Sequence, residues 1–119
     1  MKACRTLNKK PLEWQIQSGI LKWLNYQPDI YTIRVNPVGI PLGNGKYRPS
    51  GMKGVSDIIC NVRGRFLAIE VKRDRSSRIT EEQVRFLNSI KETGGYAIVA
   101  TDLNDVIGIV ERIRNAIFQ

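Results

Sequence analysis

Apolar residues recur along the chain with two periods, one helical and one extended. Leu12, Ile16, Ile20 and Leu24 are spaced at i, i+4 and lay a stripe along one face of a helix. Pro11 suits the first turn of that helix, which the pattern extends to about Asn25. Tyr31-Thr32-Ile33-Arg34-Val35 then reads as a strand. Two further runs, Val55-Ser56-Asp57-Ile58-Ile59-Cys60-Asn61-Val62 and Phe66-Leu67-Ala68-Ile69-Glu70-Val71-Lys72, are short and β-branched. They are joined by the turn signal Arg63-Gly64-Arg65, and both read as strands. Thr80-Glu81-Glu82-Gln83 opens the next helix as a capping box, with Ile79 and Val84 in hydrophobic-staple positions. That helix runs to about Glu92 and stops at Gly94-Gly95. Tyr96-Ala97-Ile98-Val99-Ala100 is a compact apolar strand. Asp102 caps a last helix, striped by Val106, Ile109, Val110, Ile113 and Ile117. The predicted order is αβββαβα, whose natural packing is a mixed α/β sheet flanked by helices.

One stretch breaks both periods. From Asn36 to Gly54 the chain carries Pro37, Pro41 and Pro49, with glycines at 39, 43, 45, 51 and 54, and it reads as loop. A loop of this length in a small domain commonly serves function. It carries Lys46, Arg48 and Lys53.

The length of 119 residues suits one domain with one hydrophobic core, taken as residues 1–119. No apolar run is long enough to span a bilayer, and Met1-Lys2-Ala3-Cys4-Arg5-Thr6-Leu7 lacks the apolar stretch of a signal peptide. Cys4 and Cys60 are too few for a disulfide framework, and Cys60 falls in a core strand as a buried free thiol. These features predict a reducing, cytoplasmic setting.

Charge narrows the partner. Nineteen Lys and Arg face eleven Asp and Glu, a formal net charge of +8, and a small basic domain of this kind points to nucleic acid. The chain has no histidine. Ser-His-Asp and Cys-His catalysis and His-ligated zinc are therefore excluded. The chemistry left uses carboxylates, lysine and a metal, with no organic cofactor indicated.

The two central strands hold the side chains for it. Glu70 and Lys72 are two positions apart and project from one face, with apolar Val71 opposite. Burying an unpaired carboxylate and ammonium is costly, and a divalent cation would offset that cost. Asp57 and Glu70 are hard oxygen donors suited to Mg²⁺ or Mn²⁺. Gly54 marks the entry to the Asp57 strand. A basic loop, Arg73-Asp74-Arg75-Ser76-Ser77-Arg78, follows the Glu70 strand. Lys46, Arg48, Lys53, Arg73, Arg75 and Arg78 thus flank the site from two loops and are candidate phosphate contacts. No base-reading motif is present, which favours recognition by backbone shape.

With an acid at the second core strand and Glu-x-Lys at the third, the chain resembles the PD-(D/E)xK nuclease superfamily. Within it, the sequence is similar to the VRR-NUC (virus-type replication-repair nuclease) family, in its small stand-alone phage and bacterial form. The residues carrying the resemblance are Glu13, Gly54-Val55-Ser56-Asp57, Ile69-Glu70-Val71-Lys72 and Thr80-Glu81-Glu82-Gln83. Ser56 stands where the pattern usually has proline.

The resemblance implies a restriction-endonuclease-like fold and metal-dependent phosphodiester hydrolysis in a bacterial or phage-infected cell. It adds the Val71 carbonyl as a metal ligand and Glu13 as a nearby or second-metal carboxylate. Lys72 would act as base or as electrostatic anchor, and Gln83 would line the site. For Gln83 the capping box is a sufficient explanation by itself, and for Glu13 the helix dipole is. Stand-alone members are associated with Holliday-junction cleavage, which implies branched DNA and a two-fold homodimer making paired cuts. Trp14, Trp23 and the last helix are candidate dimer contacts. The alternatives are a flap or restriction-type nuclease and a non-catalytic basic module that binds nucleic acid.

Overall fold

A computed structural model describes residues 10–35, 40–48 and 53–117, with the backbone alone at Ile40, Pro41, Tyr47 and Arg48. Its elements are α1 (Glu13–Asn25), β1 (Ile30–Arg34), β2 (Ile40–Pro41), β3 (Tyr47–Arg48), β4 (Ile58–Val62), β5 (Arg65–Val71), α2 (Glu81–Glu92), β6 (Tyr96–Ala100) and α3 (Leu103–Ile117). The predicted order holds, with one addition. The segment read as loop contains a hairpin, β2 against β3, with Ile40 paired to Arg48 and Pro41 to Tyr47. Gly43 and Gly45 take the left-handed conformation at φ 83° and 78°, which lets the chain reverse there. Strands of two residues are too short to show a period, so the sequence pattern missed them.

Element ends also differ from expectation. Pro11 lies outside α1, and Leu12 takes the N-cap position with no side-chain acceptor to offer. Gln15 compensates: its Oε1 accepts from the Leu12 backbone N–H at 2.8 Å. β4 starts at Ile58 rather than Val55, because buried Ser56 turns the chain and donates from Oγ to the Ile58 carbonyl at 3.1 Å. Asp102 behaves as predicted, its Oδ1 accepting from the Asp105 N–H at 2.9 Å.

The main sheet has the order β1-β4-β5-β6, antiparallel at the first two pairings and parallel at the third. The parallel step is a β5-α2-β6 crossover, which sets α2 against the sheet. Ile16, Ile20 and Leu24 of α1 and Val106, Ile109, Val110 and Ile113 of α3 pack with Ile58, Cys60, Val62, Leu67, Ile69 and Val71 in the larger core. On the opposite face, Leu87 of α2 packs on Ala68 and Ala97. Burial raises the Cys60 thiol pKa to about 11, so it stays protonated and inert. No helix among the described residues is long and apolar enough to cross a membrane.

Arg114 fastens α3 to the turn between α1 and β1. It donates to Asp29 Oδ1 and Oδ2 at 2.7 and 2.9 Å and to Gln27 Oε1 at 3.1 Å, with about four-fifths of the Asp29 and Arg114 side chains covered. The guanidinium holds the Asp29 carboxyl below its ordinary pKa of 3.8. Arg114→Ala should cost about 1–3 kcal/mol at neutral pH, measured by urea denaturation. A lowered acid pKa contributes stability above the unfolded value and loses it as pH falls through the folded one. The difference between wild type and variant should therefore shrink as pH drops below 3.8.

Candidate active site

β5 divides its side chains between two environments. Leu67, Ile69 and Val71 enter the larger core, while Ala68 and Glu70 project to the α2 side. Glu70 is only 2% exposed. Asp57 sits one residue before β4, where its carbonyl still accepts from the Val35 N–H at 2.8 Å. Because Ile58 pairs with Ile69, the next step along the antiparallel register brings Asp57 beside Glu70. The Val71 N–H donates to Asp57 Oδ2 at 2.7 Å, holding that carboxylate at the strand end. The N–H and C=O of one strand residue point the same way, so the Val71 carbonyl is directed toward Asp57 as well. Lys72 follows β5 immediately. Its N–H donates to the Ala100 carbonyl at 2.9 Å, and its Nζ lies 3.7 Å from Glu70 Oε1 with the side chain 13% exposed.

Gln83 serves two purposes at once. Its Oε1 accepts from the Thr80 N–H at 3.0 Å, and its N–H donates to Thr80 Oγ1 at 3.2 Å, completing the capping box. Its Nε2 donates to Glu70 Oε1 at 2.8 Å. An amide side chain has separate accepting and donating ends, so cap and site contact do not compete. Gly54 completes this junction. It has φ 83°, and a Cβ there would lie 2.4 Å from the Glu82 carbonyl carbon and oxygen. The glycine read as a strand entry is thus a close-packing point between the approach to β4 and the first turn of α2.

Glu70 is electrostatically frustrated. Desolvation is the main cause that raises its pKa to about 8, Asp57 adds to it by repulsion, and Lys72 opposes both. Oε1 is shared by Gln83 and Lys72, whereas Oε2 is buried with no hydrogen-bond partner. A buried carboxylate with one orphaned oxygen, next to a second carboxylate and a carbonyl, is a donor set that fits a hard divalent cation. Among the described residues no three Asp, Glu or Cys side chains form a ready-made cage. Asp57, Glu70 and the Val71 carbonyl would therefore need water to complete a shell, as Mg²⁺ normally retains.

Glu13 is not drawn into that set. It is exposed at the start of α1, whose apolar stripe packs in the larger core, and its charge adds to the repulsion on Glu70. The basic residues also divide. Lys46 is exposed on the β2–β3 turn, Arg73 and Arg78 are exposed beside the site, and Lys53 pairs with Glu82 at 3.4 Å. Arg75 is engaged by Asp105, donating to both carboxylate oxygens at 3.1 and 2.9 Å. The Arg48 side chain lies outside the described residues. Asp74, which drew no attention in the sequence, shapes the basic loop: its Oδ1 accepts from the Ser76 N–H at 2.9 Å and from Ser76 Oγ at 2.6 Å. Aspartate two residues before serine is an Asx-turn signal that could have revealed this.

A four-stranded mixed sheet between helices, with an acid before β4 and Glu-x-Lys at the end of β5, has the restriction-endonuclease-like architecture. Solved structures to which the chain is similar include two of VRR_NUC domains. One, titled VRR_NUC domain protein, has a TM-score of 0.62 and 22% identity over 87% of this chain and 88% of the other. The second, titled VRR_NUC domain, has a TM-score of 0.60 and 17% identity over 83% and 94%. The fold is that of the VRR-NUC domain. No protein-family model and no curated protein matches the chain.

Two outcomes follow for the metal-free protein. Glu70 keeps its proton to about pH 8 when folded but loses it near 4.5 when unfolded, so the native state binds more protons between these values. Stability from this group is present below 4.5 and lost as pH rises through about 8. Thermal melts should show wild type falling behind Glu70→Gln across that window. Gly54→Ala should cost about 2–4 kcal/mol through strain and collision with α2, read from the denaturation midpoint.

Proposed function

We propose that this protein is a metal-dependent deoxyribonuclease of the VRR-NUC type, hydrolysing phosphodiester bonds in branched DNA such as a four-way junction and acting as a homodimer. The observation that carries the reading is Glu70, a buried carboxylate with an orphaned oxygen set among Asp57, Lys72 and Gln83. The likeness in fold to VRR_NUC domain structures supports the same reaction class.

In this reading Asp57, Glu70 and the Val71 carbonyl hold Mg²⁺ or Mn²⁺. Such an ion, when bound, polarises the phosphate and acidifies a water. The chain's own residues do the rest. Gln83 fixes the Glu70 carboxylate through Oε1 and leaves Oε2 to face the site. Lys72 acts as an electrostatic anchor: its Nζ stands 3.7 Å from Glu70 Oε1, where its positive charge opposes negative charge growing on the phosphorane. Exposed Lys46, Arg73 and Arg78 neutralise backbone phosphates, joined by Lys53 and Arg48, and Glu13 tunes the field from the helix end. Water attacks phosphorus, the bond to the 3′ oxygen breaks, and the products carry 5′-phosphate and 3′-hydroxyl ends.

The junction preference rests on the paired cuts that a two-fold dimer can make, since the described residues of each chain form one such site. The test compares four-way junction, flap and linear duplex with Mg²⁺ or Mn²⁺. Wild type should cut the junction best, and Lys72→Ala should lower the single-turnover rate about 100-fold or more. Absence of cutting of every DNA with either metal would overturn the enzyme reading and leave a binding module.

A further inference from the structure

The two connections that leave the parallel pair of strands part company at its end. α2 follows β5 and packs on Ala68 and Ala97, whereas α3 follows β6 and packs in the larger core on the other face. Val71 pairs with Ala100 at the carboxyl ends of these strands, so the chain diverges just beyond that pair. Open α/β sheets take their ligands at such a divergence. Glu70 and Lys72 stand at this edge, and the basic loop from Arg73 to Arg78 begins at it.

One ion pair spans the divergence. Arg75 donates from Nη2 to Asp105 Oδ1 and Oδ2 at 3.1 and 2.9 Å, tying the loop after β5 to the first turn of α3. Asp105 is held in turn by the segment after β6. Its Oδ2 accepts from the Thr101 N–H at 3.0 Å, and its own N–H donates to Asp102 Oδ1 at 2.9 Å. The Asp105 side chain is 21% exposed and that of Arg75 70%, so the acid is the fixed partner and the arginine the tethered one. An ion pair this exposed adds little to stability. What it supplies is position. The Asp74 turn sets the loop's shape through bonds to Ser76 and Ser77, all within three residues, and a looser contact joins Asp74 to Lys10 at 3.8 Å. Placement over the sheet edge comes from the Lys72 N–H on the Ala100 carbonyl and from Arg75 on Asp105. Exposed Arg73 lies between these two ties.

We infer that Asp105 is a positioning residue for DNA binding: through Arg75 it holds the 73–78 loop so that Arg73 and Arg78 meet phosphates, and Arg75 spends its charge on Asp105 instead of on DNA. Only the choice of DNA as ligand rests on the nuclease reading. The alternative, Arg75 as a direct phosphate contact, predicts the opposite sign. Removing an acid beside a phosphate-binding arginine should tighten binding by electrostatics alone. Here Asp105→Asn should weaken it, although the chain becomes more basic. The test measures binding of a labelled four-way junction in EDTA across a series of KCl concentrations. Asp105→Asn and Arg75→Ala should each raise Kd about 5-fold or more, and Asp105→Asn should flatten the salt dependence by about one phosphate contact. The double variant should bind no worse than either single one, because the two residues act as a unit. Arg73→Ala should cost binding in wild type and far less in the Asp105→Asn background. Melting temperatures should stay close to wild type, since asparagine can still accept from the Thr101 N–H and Arg75 is mostly exposed. Unchanged or tighter binding by Asp105→Asn, additive losses in the double variant, or an equal cost of Arg73→Ala in both backgrounds would each overturn the inference. A wild type that binds the junction but cuts no DNA with Mg²⁺ or Mn²⁺ would sink the nuclease reading and leave this one standing.

Discussion

Glu70 enters the sheet as a charged residue in an otherwise apolar strand, and the construction of the site follows from making that tolerable. A carboxylate covered on nearly every side must be hydrogen-bonded, paired or protonated. Gln83 supplies the hydrogen bond and Lys72 the countercharge, both on Oε1, and neither reaches Oε2. Asp57 makes matters worse by adding a second negative charge. Two acids gathered where one disfavours ionisation of the buried Glu70 make poor sense as a stabilising device. They make good sense as a place for a cation.

The rest of the fold reads as support for that place. α2 must approach the sheet closely enough for Gln83 to reach Glu70, and Gly54 permits the approach by having no side chain to collide with Glu82. Ser56 turns the chain just before β4 so that Asp57 stands at the strand end, where the Val71 N–H captures it. α1 and α3 pack the opposite face and contribute the bulk of the hydrophobic core. The larger core and the Glu70 cluster thus occupy opposite sides of one sheet, with β5 shared between them residue by residue.

Much of this was legible in the chain. The i, i+4 stripes of α1 and α3 and the apolar runs of β4, β5 and β6 correspond to elements in the structure, because period and burial are coupled by backbone geometry alone. The Thr80–Gln83 box and the Asp102 cap were legible for a similar reason: their partners lie within four residues. The β2–β3 hairpin was not, since two-residue strands carry no period. The start of α1 was misplaced because Leu12 is an unusual N-cap, and its remedy came from Gln15 three residues on.

Sequence by itself determined the element order, the face shared by Glu70 and Lys72, and the chemistry available to a basic chain without histidine. Each of these depends on residue type and spacing along the backbone. Tertiary structure decided what required distant segments to meet. It placed Asp57 against Val71, gave Gln83 both cap and site contact, turned Gly54 from an entry point into a packing point, and kept Glu13 at the margin. It also left Tyr31 and Ile33 of β1 exposed while burying the apolar stripe of α3. The physical reason is common to all of these: a side chain's periodicity says which way it points, but only the packed sheet says what it finds there.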